Sequence, residues 1–436
     1  MTTLYIAEKP AQANDIGSVL GIARRQNGFL ELKNGDRITW AVGHLLRLAE
    51  PDELNEAWGG RWRWEQLPMI PDTWLYKPEK RTSAQLKVIK TLLKDASRVV
   101  IATDAGREGE LIAREILTYC KYKGRVERFW TSTLTPDDIR KALHALKPGS
   151  ETEPLYEAAL ARQHADFMHG LSGTRAVTLA AGDGQLYTLG RVQTPTLALV
   201  VKRHTAIAMF ESKTYYELVA KVTTKSGKVI TMTHAPDQEH RILSRASAEA
   251  LAGKVQGFTG PLKVVKEKGK EAPPLPYSLP ALQKDADRVL GLSAKNTLKV
   301  AQALYEKKII SYPRTDCRHL AASQKPEISG ILDSVAKLFS AEVGKLRGMG
   351  VVLRDSTFDD SKLSDHHGIV PTTLSGHLEG VELQLYSLVA LRFIETLAPD
   401  CLFETTKVTL DANGVLFKAS GKIIGSAGWK EIRSKT

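Results

Sequence analysis

Tyr312, Pro313 and Arg314 stand consecutively in the segment LYEKKIISYPRTD, residues 304–316. A phenol with an ordinary pKa of about 10 is a weak nucleophile at neutral pH, so a tyrosine that attacks needs help from its neighbours. Proline fixes the backbone between Tyr312 and Arg314, which lets the guanidinium stand near a phosphate under attack and offset the charge developing there. Transesterification of a phosphodiester is the chemistry that suits this trio. Taken alone, the three residues fit a tyrosine buried at a strand end better than a nucleophile, so the rest of the chain must decide.

A second set of reactive groups is acidic. Glu8 and Lys9 close the apolar run TLYIA, while Asp104, Glu108 and Glu110 lie in ATDAGREGE, residues 102–110. Clustered carboxylates raise one another's pKa unless a cation holds them together. Magnesium is the natural cation, because it prefers hard oxygen ligands and phosphate. An acidic turn before a helix also satisfies the helix dipole with no ligand at all; the pairing with Glu8 is what favours a metal.

The elements that must position these groups can be read around them. Thr3–Ala7 is an apolar strand delivering Glu8 and Lys9, with Pro10 opening a helix. Arg98–Thr103 is a second buried strand ending at Asp104, after which Gly106 and Gly109 permit a tight turn into a helix over Leu111–Tyr119. If the two strands are neighbours, Glu8 and Asp104 meet at their carboxyl ends, where open α/β sheets place functional side chains. Helical spacing over 156–178 predicts one helix followed by a second. Arg162 and Asp166 fall at i and i+4 there, so a plain helix salt bridge competes with any ligand role. Arg191 and Gln193 follow the loop Gly182–Gly190, with Pro195 starting a helix, an arrangement able to grip phosphates. Alternation over 214–230 predicts a hairpin turning at Ser226–Gly227, and 402–424 a second turning at Asn413–Gly414. Between them, Lys263–Lys270 and the prolines at 273, 274 and 276 read as a linker. It leads into a mainly helical insert from about Tyr277 to Asp400, with Leu282, Ala286, Val289 and Leu290 as a core face.

Composition narrows the class. A chain of 436 residues exceeds one ordinary core and predicts two to four domains. A net charge of +12 points to a polyanionic partner. The three cysteines, Cys120, Cys317 and Cys401, lack CxxC spacing, which argues against a disulfide framework and a structural zinc site and for the reducing cytoplasm. No apolar run reaches about 18 residues and no signal peptide is evident, so no membrane role is expected. No GxxxxGK[ST] loop occurs, so no nucleotide is expected.

Five blocks in order, LYIAEKP (4–10), ATDAGREGE (102–110), GRVQTPTL (190–197), the tyrosine segment with LQKDADRVLGLSAKNTLKVAQALYE (282–306) leading into it, and HHGIVPT (366–372), together resemble type IA DNA topoisomerases. The bacterial topoisomerase III branch is the most similar, over essentially the whole chain. The resemblance implies an α/β and α+β multidomain fold: a Toprim doubly wound parallel sheet, helical DNA-gate domains and a β-rich arch, forming an incomplete torus. The implied domains are a Toprim domain at 1–150, a helical DNA-binding domain at 151–210, the first half of the arch at 211–270, an inserted helical domain with the catalytic tyrosine at 271–400, and returning arch strands at 401–436.

The same resemblance implies roles. Tyr312 is the nucleophile, with Glu8, Lys9, Arg314 and His366 as catalytic partners; Lys9 stabilises the scissile phosphate and assists protonation of the departing 3′ oxygen. Glu8 and Asp104, with Glu108 as a third ligand, hold magnesium. Arg162, His164, Ser172, Leu189, Gly190, Arg191, Gln193 and Arg314 contact DNA. The family's acidic turn commonly reads Asp-x-Asp-x-Glu, whereas Gly106 takes the middle acidic position here, so one magnesium ion is expected instead of two. His164 stands where the family often has Arg, and Cys317 where it commonly has Ser. The implied activity is ATP-independent: single-stranded DNA is cleaved through a 5′-phosphotyrosine, a strand passes and the break is rejoined, which relaxes negative supercoils or decatenates DNA. A helicase partner, a monomeric state and a cytoplasmic, nucleoid-associated location go with it. Family members continue with further helices beyond the position of Thr436, so a shortened chain is expected. The alternative reading is a single-stranded DNA-binding remnant unable to pass strands. A Toprim nuclease or primase, whose cleavage or synthesis would survive Tyr312→Phe, is disfavoured by the tyrosine, GRVQTPTL and HHGIVPT blocks.

Overall fold

The computed structural model describes residues 2–234 and 241–433; the end of the chain at Thr436 lies outside the described residues. The chain divides into two compact units, one comprising Met1–His204, Thr315–Pro326 and Phe358–Gly368, the other Thr205–Arg314, Glu327–Thr357 and Ile369–Thr436.

The first unit is built on a seven-stranded sheet in the order Ile22–Gln26, Phe29–Leu32, Arg37–Trp40, Thr2–Ala7, Ala96–Ala102, Arg125–Arg128, Lys147–Pro148. The continuous apolar runs of Thr2–Ala7 and Ala96–Ala102 suit parallel central strands covered on both faces. Successive side chains point to opposite faces. Leu4, Ile6, Val99 and Ile101 pack with Leu86, Ile89, Ile112 and Ile116 from the helices Ser83–Asp95 and Arg107–Tyr119. Tyr5, Ala7, Val100 and Ala102 pack with Ala13, Ile16 and Ile139 from the helices Pro10–Leu20 and Pro136–His144. The sheet is therefore doubly wound, but it is parallel only through its central four strands. Ile22–Gln26 and Phe29–Leu32 run antiparallel to their neighbours because short turns join them with no crossover helix between, and Lys147–Pro148 returns antiparallel to Arg125–Arg128 after the helix Pro136–His144.

The helix Arg107–Tyr119 starts earlier than its apolar spacing suggests, so Glu108 and Glu110 lie in its first turn and not in the loop before it. Residues 153–181 form the expected helical pair, Glu153–Phe167 and Gly173–Ala181, joined by a π-helical turn over Met168–Ser172. The helix Gln193–Ala208 buries none of its side chains among the described residues, and Leu199, Val200 and Ile207 are each more than half exposed.

The second unit holds a five-stranded antiparallel sheet in the order Val219–Thr223, Val229–His234, Val415–Ser426, Cys401–Ala412, Lys263–Glu271. The two alternating segments, far apart in sequence, thus share one sheet. Asn413 and Gly414 both take positive φ at the second hairpin, as its two-residue turn requires. Lys263–Lys270 is not a linker but most of the strand Lys263–Glu271, paired along its length with Cys401–Ala412. Its charges, which suggested a linker, are met across the sheet by Lys266–Glu404 at 3.1 Å and Lys407–Glu267 at 2.7 Å. The insert is mainly helical. Leu282 and Ala286 are fully buried on Leu279–Leu290, as are Ala301 and Leu304 on Ala294–Glu306 and Leu385 and Val389 on Gly380–Thr396. Val289, expected on the core face, is half exposed instead, because the buried stripe of this helix is only one residue wide per turn.

Candidate active site

Glu8 and Lys9 leave the strand Thr2–Ala7 at its carboxyl end, and Asp104 follows the adjacent parallel strand Ala96–Ala102. The sheet therefore sets the two carboxylates side by side, as their positions after apolar runs predicted. Lys9 Nζ donates to Asp104 Oδ2 at 3.1 Å, and Gln12 Nε2 donates to Asp104 Oδ1 at 3.1 Å. His366 Nε2 lies 3.1 Å from the same Oδ2, so a histidine more than 250 residues away in sequence joins the strand ends. The Asp104 amide in turn donates to Glu8 Oε2 at 3.1 Å.

The turn after Asp104 is held by groups that sequence reading did not single out. Arg128 is fully buried and donates to Glu110 and to the carbonyls of Thr103 at 2.8 Å, Phe129 at 2.6 Å and Asp104 at 2.6 Å. Thr103 Oγ1 donates to the Gly109 carbonyl at 2.8 Å, and a Cβ on Gly109 would overlap the Asp104 carbonyl, so only glycine lets the helix begin this close. The one legible signal for Arg128 was its place at the end of a third strand in the same sheet.

Burial, reinforced by the Asp104 charge, pushes the Glu8 carboxyl up to about 7. For Asp104 burial acts in the same upward sense, but the His366 hydrogen bond and the Lys9 charge outweigh it and hold the carboxyl well below the usual range. The two acids are thereby pushed apart, one titrating near neutrality and one permanently ionised. For stability the sign is definite. Glu8 rises from an ordinary 4.5 to about 7 on folding, so its contribution is complete below pH 4.5 and is lost as pH rises through 7. In metal-free buffer Glu8→Gln is expected to leave thermal stability unchanged near pH 4 and to raise it at pH 8 by on the order of 2 kcal/mol. A thermal melt in which the variant gains nothing at pH 8 would contradict this.

The remaining predicted residues are distributed around this centre. Glu108 pairs with Arg162 and lies 3.5 Å from His44. His44 also contacts the buried Glu115 at 3.2 Å, which raises its pKa. The i, i+4 bridge between Arg162 and Asp166 does not form; Asp166 instead takes a two-point contact from Arg191, at 2.6 and 3.3 Å. His164 stacks on Trp74 with ring centroids 3.7 Å apart and meets Tyr76 Oη at 3.1 Å, and burial lowers its pKa. Ser172 Oγ accepts from the Met69 amide at 3.0 Å. Leu189 is pinned through its amide to Thr174 Oγ1 at 3.0 Å, Gly190 donates to Thr194 Oγ1 at 3.0 Å, and Arg191 and Gln193 are exposed. His367, beside His366, is half-buried against Gln324, and its withdrawal from water depresses it to about 4.

In the second unit Tyr312 is half-buried, Pro313 buried and Arg314 exposed. The approach to Tyr312 is fixed by pairing with the segment after the two histidines: Ser311 N donates to the Val370 carbonyl at 2.9 Å and Thr372 N to the Ile309 carbonyl at 3.0 Å. The strand-like character of Ile309–Ile310 is confined to this short pairing, with one bridge from Ile310 to Pro371. Tyr305 packs edge-on against Tyr312 with ring centroids 5.3 Å apart.

The donor set at the strand ends fits magnesium, which binds through one or two carboxylates and completes its shell with water and substrate phosphate. Glu8 and Asp104 supply those two. Among the described residues no three His, Cys, Asp or Glu side chains converge as a self-sufficient metal cage, and Glu108 is engaged by Arg162 and His44. No helix among the described residues is long and apolar enough to cross a membrane.

Comparison with known proteins completes the description. Residues 3–132 match the Toprim domain model, a fold that generally binds magnesium, and residues 150–436 match the DNA topoisomerase model. The chain is 39% identical over 441 residues to DNA topoisomerase 3 of Bacillus licheniformis, covering 99% of this chain and 59% of that protein. It is 35% identical over 460 residues to DNA topoisomerase 3 of Vibrio cholerae, covering 99% of this chain and 70% of that protein. Full-length topoisomerase I from Thermotoga maritima shares the fold with a TM-score of 0.63 at 23% identity, covering 99% of this chain and 68% of that one. The chain spans about three fifths of the length of the Bacillus relative.

Proposed function

Since this chain belongs to the type IA DNA topoisomerase family, we propose that it cleaves single-stranded DNA by forming a tyrosyl phosphodiester and rejoins the break, changing DNA topology without ATP. The observation that carries the reading is the pairing of Lys9 and His366 on the single Asp104 carboxylate, each at 3.1 Å, in a chain that also presents Tyr312 next to the proline-fixed Arg314.

In this mechanism the Tyr312 oxygen forms a bond to phosphorus and loses its phenolic proton, while the bond from phosphorus to the 3′ oxygen breaks and that oxygen gains a proton. Lys9 donates to the phosphate and to the departing oxygen, and Arg314 offsets the charge on the phosphate. His366 and Lys9 together keep Asp104 ionised and oriented. Rejoining is the same sequence reversed, and one phosphoester replaces another, so no external energy source is needed. Magnesium, when held by Glu8 and Asp104 with Glu108 nearby, would supply positive charge that steadies the phosphate and the broken end.

The DNA backbone is gripped by Arg162, His164, Ser172, Leu189, Gly190, Arg191 and Gln193, where phosphates exchange for the carboxylates of Glu108 and Asp166. Such contacts carry affinity with little sequence information, so binding weakens steeply with salt. A monomer acting in the cytoplasm at the nucleoid, with a helicase opening single-stranded regions, belongs to the same reading.

The test uses single-stranded DNA labelled at either end and trapped by denaturant. A 3′ end label should stay on the protein and a 5′ end label should leave with the released strand, and Lys9→Ala should slow adduct formation by about 10²–10³-fold. DNA binding with neither label trapped would instead favour a binding remnant.

A further inference from the structure

Residues 55–76 of the first unit carry four of the chain's seven tryptophans, and three of the four are used by the fold. Trp58 is buried, Trp62 lies under the Arg175 guanidinium at 5.2 Å, and Trp74 stacks on His164. The fourth, Trp64, is 54% exposed and meets no other ring or cation among the described residues. Arg61 and Arg63, just before it, are exposed as well, and among the described residues neither guanidinium enters an ion pair. Glu65 is the only acid between Ala57 and Pro71.

This turn is held from behind. Arg175, buried on the helix Gly173–Ala181, donates to the Trp58 carbonyl at 2.8 Å and to Gln66 Oε1 at 3.3 Å. Gln66 Nε2 donates in turn to the carbonyls of Ala57 at 2.9 Å and Gly59 at 3.2 Å, and Gln66 Oε1 accepts from the Arg63 amide at 3.0 Å. The backbone is therefore fixed before any ligand arrives, which keeps the ordering cost of binding small.

An indole left mostly in water on a fixed turn, with two free guanidiniums beside it, has the chemistry of a single-strand site: bases stack on the aromatic face and arginines meet the phosphates. A duplex keeps its bases stacked on one another and offers that face little. The turn also adjoins residues already assigned to DNA, through the Met69 amide on Ser172 Oγ at 3.0 Å and the stack of Trp74 on His164. We propose that Trp64 is a base-stacking platform for single-stranded DNA, with Arg61 and Arg63 holding the phosphates that flank the stacked base. This assignment rests on the single-stranded DNA reading given above and extends its contact surface.

Fluorescence anisotropy with labelled single-stranded oligonucleotides tests it without reference to cleavage. Trp64→Ala is expected to weaken binding about tenfold, and Trp64→Phe to keep most of the affinity. Arg61→Ala and Arg63→Ala should each reduce the steepness of log affinity against log salt by about 0.7. A single abasic position moved along the strand should find one place where the wild type loses about tenfold and Trp64→Ala loses nothing further. Circular dichroism melts of each variant establish that it is folded. Unchanged affinity in Trp64→Ala, or abasic losses equal in wild type and variant, would overturn the stacking assignment while leaving Tyr312-dependent capture standing. Binding that depends on Trp64 without covalent capture would overturn the cleavage reading alone. A wild type that binds no single-stranded DNA would overturn both.

Discussion

Tyr312→Phe is expected to abolish covalent capture of single-stranded DNA while leaving DNA binding intact. The substitution removes one oxygen and keeps the ring that packs edge-on against Tyr305. The short pairing of Ile309–Ser311 with Val370–Thr372 is made by main-chain groups and does not involve the phenol, so the fold should be untouched. Loss of the attacking atom of a nucleophilic mechanism costs on the order of 10³-fold or more, since no other group can form the intermediate. Denaturant-trapped adducts with 3′-labelled DNA measure the loss, and fluorescence anisotropy measures binding. An adduct that persists in the variant would assign the nucleophile to another residue.

The second large effect is expected at Arg128. This guanidinium has no exposure and answers Glu110, which is buried too. Breaking one partner of a fully buried ion pair typically costs about 3–5 kcal/mol, because the other charge is left uncompensated away from water. Arg128→Met and Glu110→Gln should each fall in that range by urea denaturation. Arg128→Lys should recover little, since an ammonium cannot reproduce the planar fork that also serves the Thr103, Asp104 and Phe129 carbonyls. Glu110 also accepts from Arg114 Nε at 2.8 Å, so converting Arg128 and Glu110 together to methionine strands Arg114 and should recover little of the loss. A cost below about 1 kcal/mol for either single variant would mean that the pair is not buried as described. The functional consequence follows from the hydrogen bond to the Asp104 carbonyl: Arg128 fixes the turn that aims Asp104, so its loss should disturb the site before it unfolds the domain.

The sequence alone determined which candidate groups stand at the strand ends and which strands carry them. Continuous apolar runs before Glu8 and Asp104 are legible because a strand covered on both faces admits little else, and two-residue turns such as Asn413–Gly414 announce themselves through backbone positions that few residues tolerate. Five ordered motifs placed the chain in its family for the same reason, since each is a local string. The tertiary structure decided what local strings cannot encode. Lys263–Lys270 looked like a charged linker because its partners Glu404 and Lys407 lie some 140 residues away, and only sheet pairing turns those charges into cross-strand bridges. Arg162 and Asp166 stood at ideal helix spacing, yet Glu108 and Arg191 reach them from other elements and win. Val289 followed the apolar stripe but lies beyond the face its helix presents to the core. The meeting of His366 and Asp365 with Asp104 and Gly106 likewise depends on a loop entering from far along the chain. Periodicity and spacing report what a residue does to its own element, whereas charge pairing and shared space at a site are set by whichever distant element the fold brings alongside.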